Sequence, residues 1–266
     1  MCLIASLLFT VFPGHTTSAY VLPGRLVIQL MLGNLNPPRA MVVEQNVTFF
    51  DQDGVATVFR ERNSYMPPGR FRSESNYNSE IRIHVESSGS AITLVNGSIV
   101  ESTESIAFAW MDRYKDLFCF RSRNGLAARL EASGMDVNIS SPGRFGDMLV
   151  YILGDVYPHE AKPQLWVDKE SFKPVRWIVV PKEKSSDGLV REIRYLAWRS
   201  VNHAWYPGRI EFYAGESMIK TIDVLTMDVN PDIPLVRFDV ESIVANHLQP
   251  FPRPVMPVNR VNKNPG

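Results

Sequence analysis

His84, His159, His203 and His247 are the imidazoles that could serve as general bases or metal ligands in the body of this chain, and none has the spacing either role needs. No HExxH pair occurs, and no cysteine pair accompanies them. His84 falls on the polar side of a strand-like segment and His159 follows Tyr157-Pro158 in a loop, so solvated surface histidines are expected. Asp51-Gln52-Asp53-Gly54 resembles the start of a calcium loop but lacks the third acidic ligand and the closing Glu; it reads as a hairpin turn. Asp187 and Glu192 flank a second turn beside Lys182, Lys184 and Arg191, the composition of an exposed hairpin. No G-x-S-x-G elbow, Walker loop or dinucleotide fingerprint is present. Asn46, Asn96 and Asn138 stand in N-x-S/T triplets, which matter only in a host that glycosylates. The residues point away from an enzyme, and towards no metal and no cofactor.

The rings are more informative. Aromatic residues make up 11% of the chain. Trp110, Phe118, Tyr151, Trp177, Trp198, Trp205 and Phe212 all fall in strand-like segments or in one helical insertion. Each taken alone reads as ordinary core. Together, six of them (Trp110, Phe118, Tyr151, Trp177, Trp198 and Phe212) are candidates to line a deep apolar groove for an acyl chain.

The elements that must position them read as follows. Pro23 opens a short helix over 24–33, stopped by Asn36-Pro37-Pro38. Val43, Val47 and Phe49 alternate with Glu44, Asn46 and Thr48 in a strand, the Asp51–Gly54 turn follows, and 55–60 returns. Ile81, Ile83 and Val85 alternate with Arg82, His84 and Glu86 in another strand, and Asn96-Gly97 marks a further turn. Between 102 and 133 the spacing changes. Ile106, Trp110, Met111, Tyr114, Leu117 and Phe118 recur every three or four residues, which predicts two helices broken near Asn124-Gly125. Strands resume over 148–153, 164–168, 174–180, 189–198, 205–213 and 218–229. An open antiparallel sheet is expected to be hydrophobic on one face, with the inserted helices as its cover.

Both ends have their own character. Residues 1–19 carry no charged side chain; Leu3, Ile4, Leu7, Leu8, Phe9, Val11 and Phe12 form a short apolar core before Pro13-Gly14, and Thr17-Ser18-Ala19 precedes Tyr20. This reads as an export signal, although no Lys or Arg occurs before Arg25 as such a signal should have; a buried N-terminal strand or helix is the alternative. The core is shorter than the roughly 20 apolar residues needed to span a bilayer. Cys2 follows no lipobox-like run and is not a lipid anchor, and after cleavage Cys119 is a lone thiol in an apolar setting, expected to be buried and structural. A soluble mature protein follows. The expected division is a signal peptide over 1–19, one domain over 20–249, and a disordered tail over 250–266, where 5 of 17 residues are Pro. The 28 basic and 28 acidic residues balance, which argues against a nucleic-acid partner.

Leu165-Trp166-Val167-Asp168-Lys169-Glu170-Ser171-Phe172-Lys173-Pro174-Val175-Arg176 resembles the strand–turn–strand of the LolA-like family of periplasmic lipoprotein-sorting carriers. Arg194-Tyr195-Leu196-Ala197-Trp198-Arg199, then Trp205–Tyr213, then Met227-Asp228-Val229-Asn230 closing on Phe238-Asp239, continue the likeness over most of 20–245. The resemblance implies a mainly β fold with α: an incomplete, strongly curved antiparallel β-barrel covered by helices, LolA/LolB-like, holding acyl chains inside. No short signature carries an individual functional residue across, and the longer helical insertion and Pro-rich tail depart from the pattern. It further implies a monomeric periplasmic carrier of acylated lipoproteins or lipids, loaded by an inner-membrane transporter and unloaded by an outer-membrane acceptor. Burying acyl chain is worth roughly 0.8 kcal/mol per CH₂, on the order of 12 kcal/mol for a 16-carbon chain, so an adaptable groove under a movable lid is expected and covalent chemistry is not. A second reading uses the same fold as a lipid sensor that signals through a protein partner. A periplasmic hydrolase is the third, disfavoured by the lack of a nucleophile constellation.

Overall fold

A computed structural model describes residues 21–100, 109–180 and 189–248. The expected signal over 1–19, the tail over 250–266, Ile106, and the turn residues Lys182, Lys184 and Asp187 lie outside the described residues.

Among the described residues thirteen strands form one antiparallel sheet. In chain order they are β1 (Met41–Phe50), β2 (Ala56–Met66), β3 (Arg70–Tyr77), β4 (Glu80–Ser87), β5 (Ser90–Val95), β6 (Ser98–Val100), β7 (Ser140–Phe145), β8 (Met148–Leu153), β9 (Gln164–Asp168), β10 (Pro174–Val179), β11 (Arg191–Val201), β12 (Ala204–Ala214) and β13 (Ser217–Val229). Two meanders, β1–β6 and β7–β13, meet where β1 pairs with β13, and the sheet runs from β6 at one edge to β7 at the other without closing. This is the open barrel expected. Asp51 folds the first hairpin: its Oδ1 accepts from the backbone N–H of Asp53 (3.0 Å) and of Val55 (2.8 Å), which is turn chemistry and not cation ligation. Asn96 and Gly97 both take positive φ, as a two-residue hairpin turn requires.

Helices cover the inner face. α1 (Gly24–Leu35) buries Val27, Ile28, Met31, Leu32 and Leu35 along one stripe. It runs past Gly33, because Asn36 supplies the left-handed cap (φ 46°) and its N–H closes on the Leu32 carbonyl at 2.9 Å. A Cβ on Gly24 would sit 2.2 Å from the Val137 carbonyl oxygen, so the start of α1 can approach that segment only as glycine. The helical insertion is a 3₁₀ segment, Ala109–Phe118, followed by α2 (Arg123–Ala132). The break falls at 119–122 and not at Asn124-Gly125, since Ser122 caps α2 by accepting from the Gly125 N–H at 3.1 Å.

The principal core joins α1, the 3₁₀ segment and α2 to the inner face of the sheet. The outer face is not wholly polar, contrary to the expectation of one hydrophobic face. Val150, Ile152, Trp166, Val175 and Ile178 form a second cluster, and Ala40, Val42, Ile233 and Phe238 a third. The last is closed by a second 3₁₀ turn, Leu235–Phe238, and α3 (Val240–Leu248) follows it, elements without a clear apolar period in the sequence.

Candidate functional site

The space between sheet and helices is divided by the two meanders. On β8–β13 the inward positions are Tyr151, Leu153, Leu165, Val167, Trp177, Val179, Ile193, Tyr195, Ile210, Phe212 and Ile222, every one of them buried. The 3₁₀ segment drops Trp110, Tyr114 and Phe118 onto them. Trp110 and Tyr114 meet the Phe212 ring edge-on at 6.1 and 5.8 Å, and Phe118 lies 4.5 Å from Tyr206 and 6.3 Å from Trp198. Tyr65 and Tyr206 place their hydroxyls 2.9 Å apart in the same interior, and burial pushes the pKa of both up, keeping them neutral.

On β1–β5 the inner face is mixed, with polar rows set among Val43, Val47, Phe49, Phe59, Tyr65 and Phe71. Cross-strand register aligns Gln45, Glu61, Ser75 and Arg82 in one row and Asn63, Ser73, His84 and Thr93 in the next. The Glu61 carboxylate accepts from Gln45 Nε2 (2.6 Å), Asn63 Nδ2 (3.3 Å) and Ser73 Oγ (2.6 Å), and Asn63 also donates to the Tyr114 hydroxyl at 2.8 Å. Below these rows Lys115, only 1% exposed, points from the 3₁₀ segment between Glu86 (2.6 Å) and Asp112 (3.2 Å), with its ammonium 4.5 Å from the Phe71 ring centre. His84 lies 2.9 Å from the Thr93 hydroxyl and 3.0 Å from Glu86. Burial alone would depress the Lys115 pKa, but the charges of Asp112 and Glu86 outweigh it and drive it up. Burial would likewise raise Glu86, yet the hydrogen bond from His84 and the charge of Lys115 bring it down to about 2. His84, Glu86 and Asp112 have cation-ligand geometry, with the Lys115 ammonium hydrogen-bonded to two of the three, so the fixed charge of the chain already occupies that position.

Above this cluster opens a pocket of about 180 Å³, lined by Glu61, Ser73, Ser75, Arg82, His84, Asp112, Tyr114 and Lys220 and by the rings of Phe49, Phe59 and Phe71. Lys220 stands where the two halves meet, 4.9 Å from the Phe212 ring centre and 5.0 Å from that of Phe49.

The structure brings all six predicted groove residues into one core. Trp110, Phe118, Tyr151, Trp177 and Phe212 are buried and Trp198 is partly so; they pack against one another and against the 3₁₀ segment, and none lines the open pocket. His159 and His203 are exposed as expected. His84 is not: β4 has the opposite facing to that expected, with Arg82, His84 and Glu86 inward and Ile83 and Val85 outward, where Val85 opposes Ile92. The polar interior escaped sequence reasoning. Its one signal is Lys115 sitting between Met111 and Phe118 on an apolar helical stripe. Cys119 is buried as expected, and burial pushes its thiol pKa up, away from reactivity. Among the described residues no helix is long and apolar enough to cross a membrane.

No family model and no curated protein matches the chain. Solved structures do. A DUF1329 family protein from Desulfovibrio piger superposes with a TM-score of 0.54 at 12% identity, over 83% of this chain and 99% of that one. A domain named for outer membrane lipoprotein sorting, from Vibrio parahaemolyticus, superposes with a TM-score of 0.50 at 7% identity, again over 83% and 99%. The chain shares the fold of these two structures. A LolA superfamily protein from Nitrosomonas europaea aligns over 84% of this chain and 100% of its own, at 13% identity and a TM-score of 0.47. At these identities the likeness speaks for the fold alone and leaves cargo to be argued from the interior.

Proposed function

We propose that this LolA-like protein is a periplasmic carrier that shields the acyl chains of a lipid or lipoprotein and passes them towards the outer membrane. The observation that carries the reading is the ten-residue 3₁₀ segment Ala109–Phe118, which plugs the apolar half of the interior with its own rings. A 3₁₀ helix of that length is uncommon and its hydrogen bonds are poorer than those of an α-helix, so it is a weak element holding a large apolar payload. Lifting it would bare the inward positions of β8–β13 to an acyl chain of matching chemistry, and lowering it would expel the chain. Trp110, Phe118, Tyr151, Trp177, Trp198 and Phe212 then line the groove in the open state and fill it in the closed one. The transfer breaks no covalent bond, and the loading and accepting partners belong to the membranes on either side.

Uptake of a fluorescent 16-carbon fatty acid tests this. The expected result is saturable binding that falls more than about tenfold in Trp198→Asp, since a carboxylate in an apolar site costs several kcal/mol. Leu149→Asp, at a position 52% exposed on β8, retains it. Equal affinity in both variants, each folded by circular dichroism, overturns the placement of the groove.

A further inference from the structure

Tyrosine hydroxyls and indoles fare differently in the interior. Tyr65 and Tyr206 share a hydrogen bond (2.9 Å), the Tyr114 hydroxyl accepts from Asn63 Nδ2 (2.8 Å), and the Tyr195 hydroxyl donates to the Tyr114 carbonyl (3.4 Å). On the outer face Trp166 donates to Gln164 Oε1 at 2.9 Å. Trp177 and Trp198 have no such partner: the Nε1 of each is enclosed and meets no acceptor. Resting on the carrier reading above, we propose that these two indole N–H groups hold the acyl carbonyls of the bound lipid, so that the protein selects acyl esters over the corresponding ethers.

Both indoles belong to the face that the 3₁₀ segment covers. Trp177 is 1% exposed, and its cross-strand neighbours Leu165 and Ile193 carry no side-chain acceptor. Trp198 is turned inward by its backbone. Ala197 takes a left-handed φ of 51°, so the alternation of β11 slips by one residue, leaving Ala197 exposed and Trp198 beside Tyr195. Both of those rings lie against Phe118 of the 3₁₀ segment, Tyr195 at 6.4 Å and Trp198 at 6.3 Å. The opposing strand is shaped to match: a Cβ on Gly208 would sit 2.5 Å from the Ala197 carbonyl oxygen. A left-handed non-glycine residue is strained, and here the strain sets an indole donor under the lid. The other enclosed side-chain atoms without partners, Gln45 Oε1, Asn63 Oδ1, Ser64 Oγ and Asp116 Oδ2, are oxygens borne by β1, β2 and the 3₁₀ segment. The two indoles are therefore the only such N–H donors among the described residues.

An enclosed N–H without an acceptor has lost its bond to water and gained none in return. No group of the chain supplies that acceptor in the closed state; a ligand admitted under the lifted lid can. The indole only donates, so its match is an acceptor that carries neither a donor nor a charge into an apolar groove. A hydroxyl brings an O–H to be satisfied and a carboxylate brings a charge, whereas an ester carbonyl brings neither.

The test is lipid extraction from mixed vesicles. Full-length protein is incubated with vesicles of equal dipalmitoyl-phosphatidylcholine and di-O-hexadecyl-phosphatidylcholine, which share headgroup and chain length and differ by two carbonyls. Protein and vesicles are separated by size and the bound lipid is quantified by mass spectrometry. The expected bound pool favours the diester about tenfold, a difference of about 1.4 kcal/mol shared by two net hydrogen bonds. Trp177→Phe and Trp198→Phe, which keep a ring and remove the donor, each lower the preference to about threefold, and the double variant brings it to parity. Phe118→Leu, which trims the groove without touching a donor, reduces uptake of both lipids alike and keeps the ratio. A wild-type pool that mirrors the vesicle overturns the carbonyl site while leaving acyl binding intact; that is the result if water alone serves the two indoles. No uptake of either lipid contradicts the carrier reading, and the carbonyl site falls with it. Nuclear magnetic resonance of the wild type decides the matter even if a variant fails to fold. Two of the five indole N–H resonances move downfield on loading with the diester and not with the diether. A bound diester that moves none of them overturns the site.

Discussion

The two halves of the inner face use the same backbone and different chemistry, one almost wholly apolar and one with polar rows among its apolar residues. On β8–β13 the inward residues, Lys220 apart, are aromatic or branched aliphatic and meet the rings of the lid; on β1–β5 Gln45, Glu61, Asn63, Ser73, Ser75, Arg82, His84 and Thr93 face inward among Val43, Val47, Phe49, Phe59, Tyr65 and Phe71. The apolar half is held by area removed from water, which is non-directional and tolerates a different occupant of like chemistry. The polar half is held by directed bonds among partly buried charges, which tolerate only a ligand that replaces each bond it breaks. One lid serves both: the 3₁₀ segment sends Trp110 and Phe118 into the first half and Asp112 and Lys115 into the second. A cargo with an apolar and a polar end matches that division.

The contrast can be broken from either side. Trp177→Ala, removing a ring from the centre of the apolar half, should cost about 3–5 kcal/mol in urea unfolding, whereas Ser75→Ala in the polar half should cost almost nothing. Comparable losses would mean the two halves are not differently built. Lys115→Met should cost about 2–3 kcal/mol by leaving Glu86 and Asp112 facing each other, with the figure kept down because their side chains retain 29% and 42% of their surface. Adding Glu86→Gln to that variant should restore part of the loss; a double mutant no better than the single would remove the ion cluster from the account. Glu86 sharpens the comparison through pH. Its folded pKa of about 2 lies below the ordinary 4.5, so its contribution is complete above 4.5 and disappears as pH falls towards 2. Wild-type stability should drop by about 2 kcal/mol more than that of Glu86→Gln across that window, after solvent screening is allowed for. Parallel pH profiles would contradict it. The smallest effect is expected at the exposed Arg25–Glu131 pair between α1 and α2: Arg25→Ala should change stability by less than about 1 kcal/mol.

Much of the apolar half was legible in the sequence, and for a physical reason. Strands such as 148–153 and 164–168 carry the Val, Ile, Leu and aromatic residues that mark buried strands, and the observed elements share those limits. The resemblance around Leu165–Arg176 lies in the same region. The polar half was read poorly because periodicity assigns the apolar side of a strand to the interior. In β4 that rule puts Ile83 and Val85 inward, and the structure puts them outward, where α3 lies against β4 and β5. β3 was missed altogether, since Ser73, Ser75 and Glu74 leave no apolar alternation to detect. β7 was missed because Pro142 and Gly143 interrupt any apolar alternation, although an edge strand accepts both. The apolar stripe around Lys115 is a local sign of its burial, but its partner Glu86 is 29 residues away and no local pattern pairs the two.

The most direct measurement of the carrier reading is native mass spectrometry of the full chain purified from a periplasmic extract without detergent. The account predicts one bound acylated molecule per chain, released when the protein is unfolded. A clean apo mass, followed by no uptake of the fluorescent fatty acid, would contradict it and leave the rings of Trp110, Phe118, Trp177 and Phe212 as ordinary core.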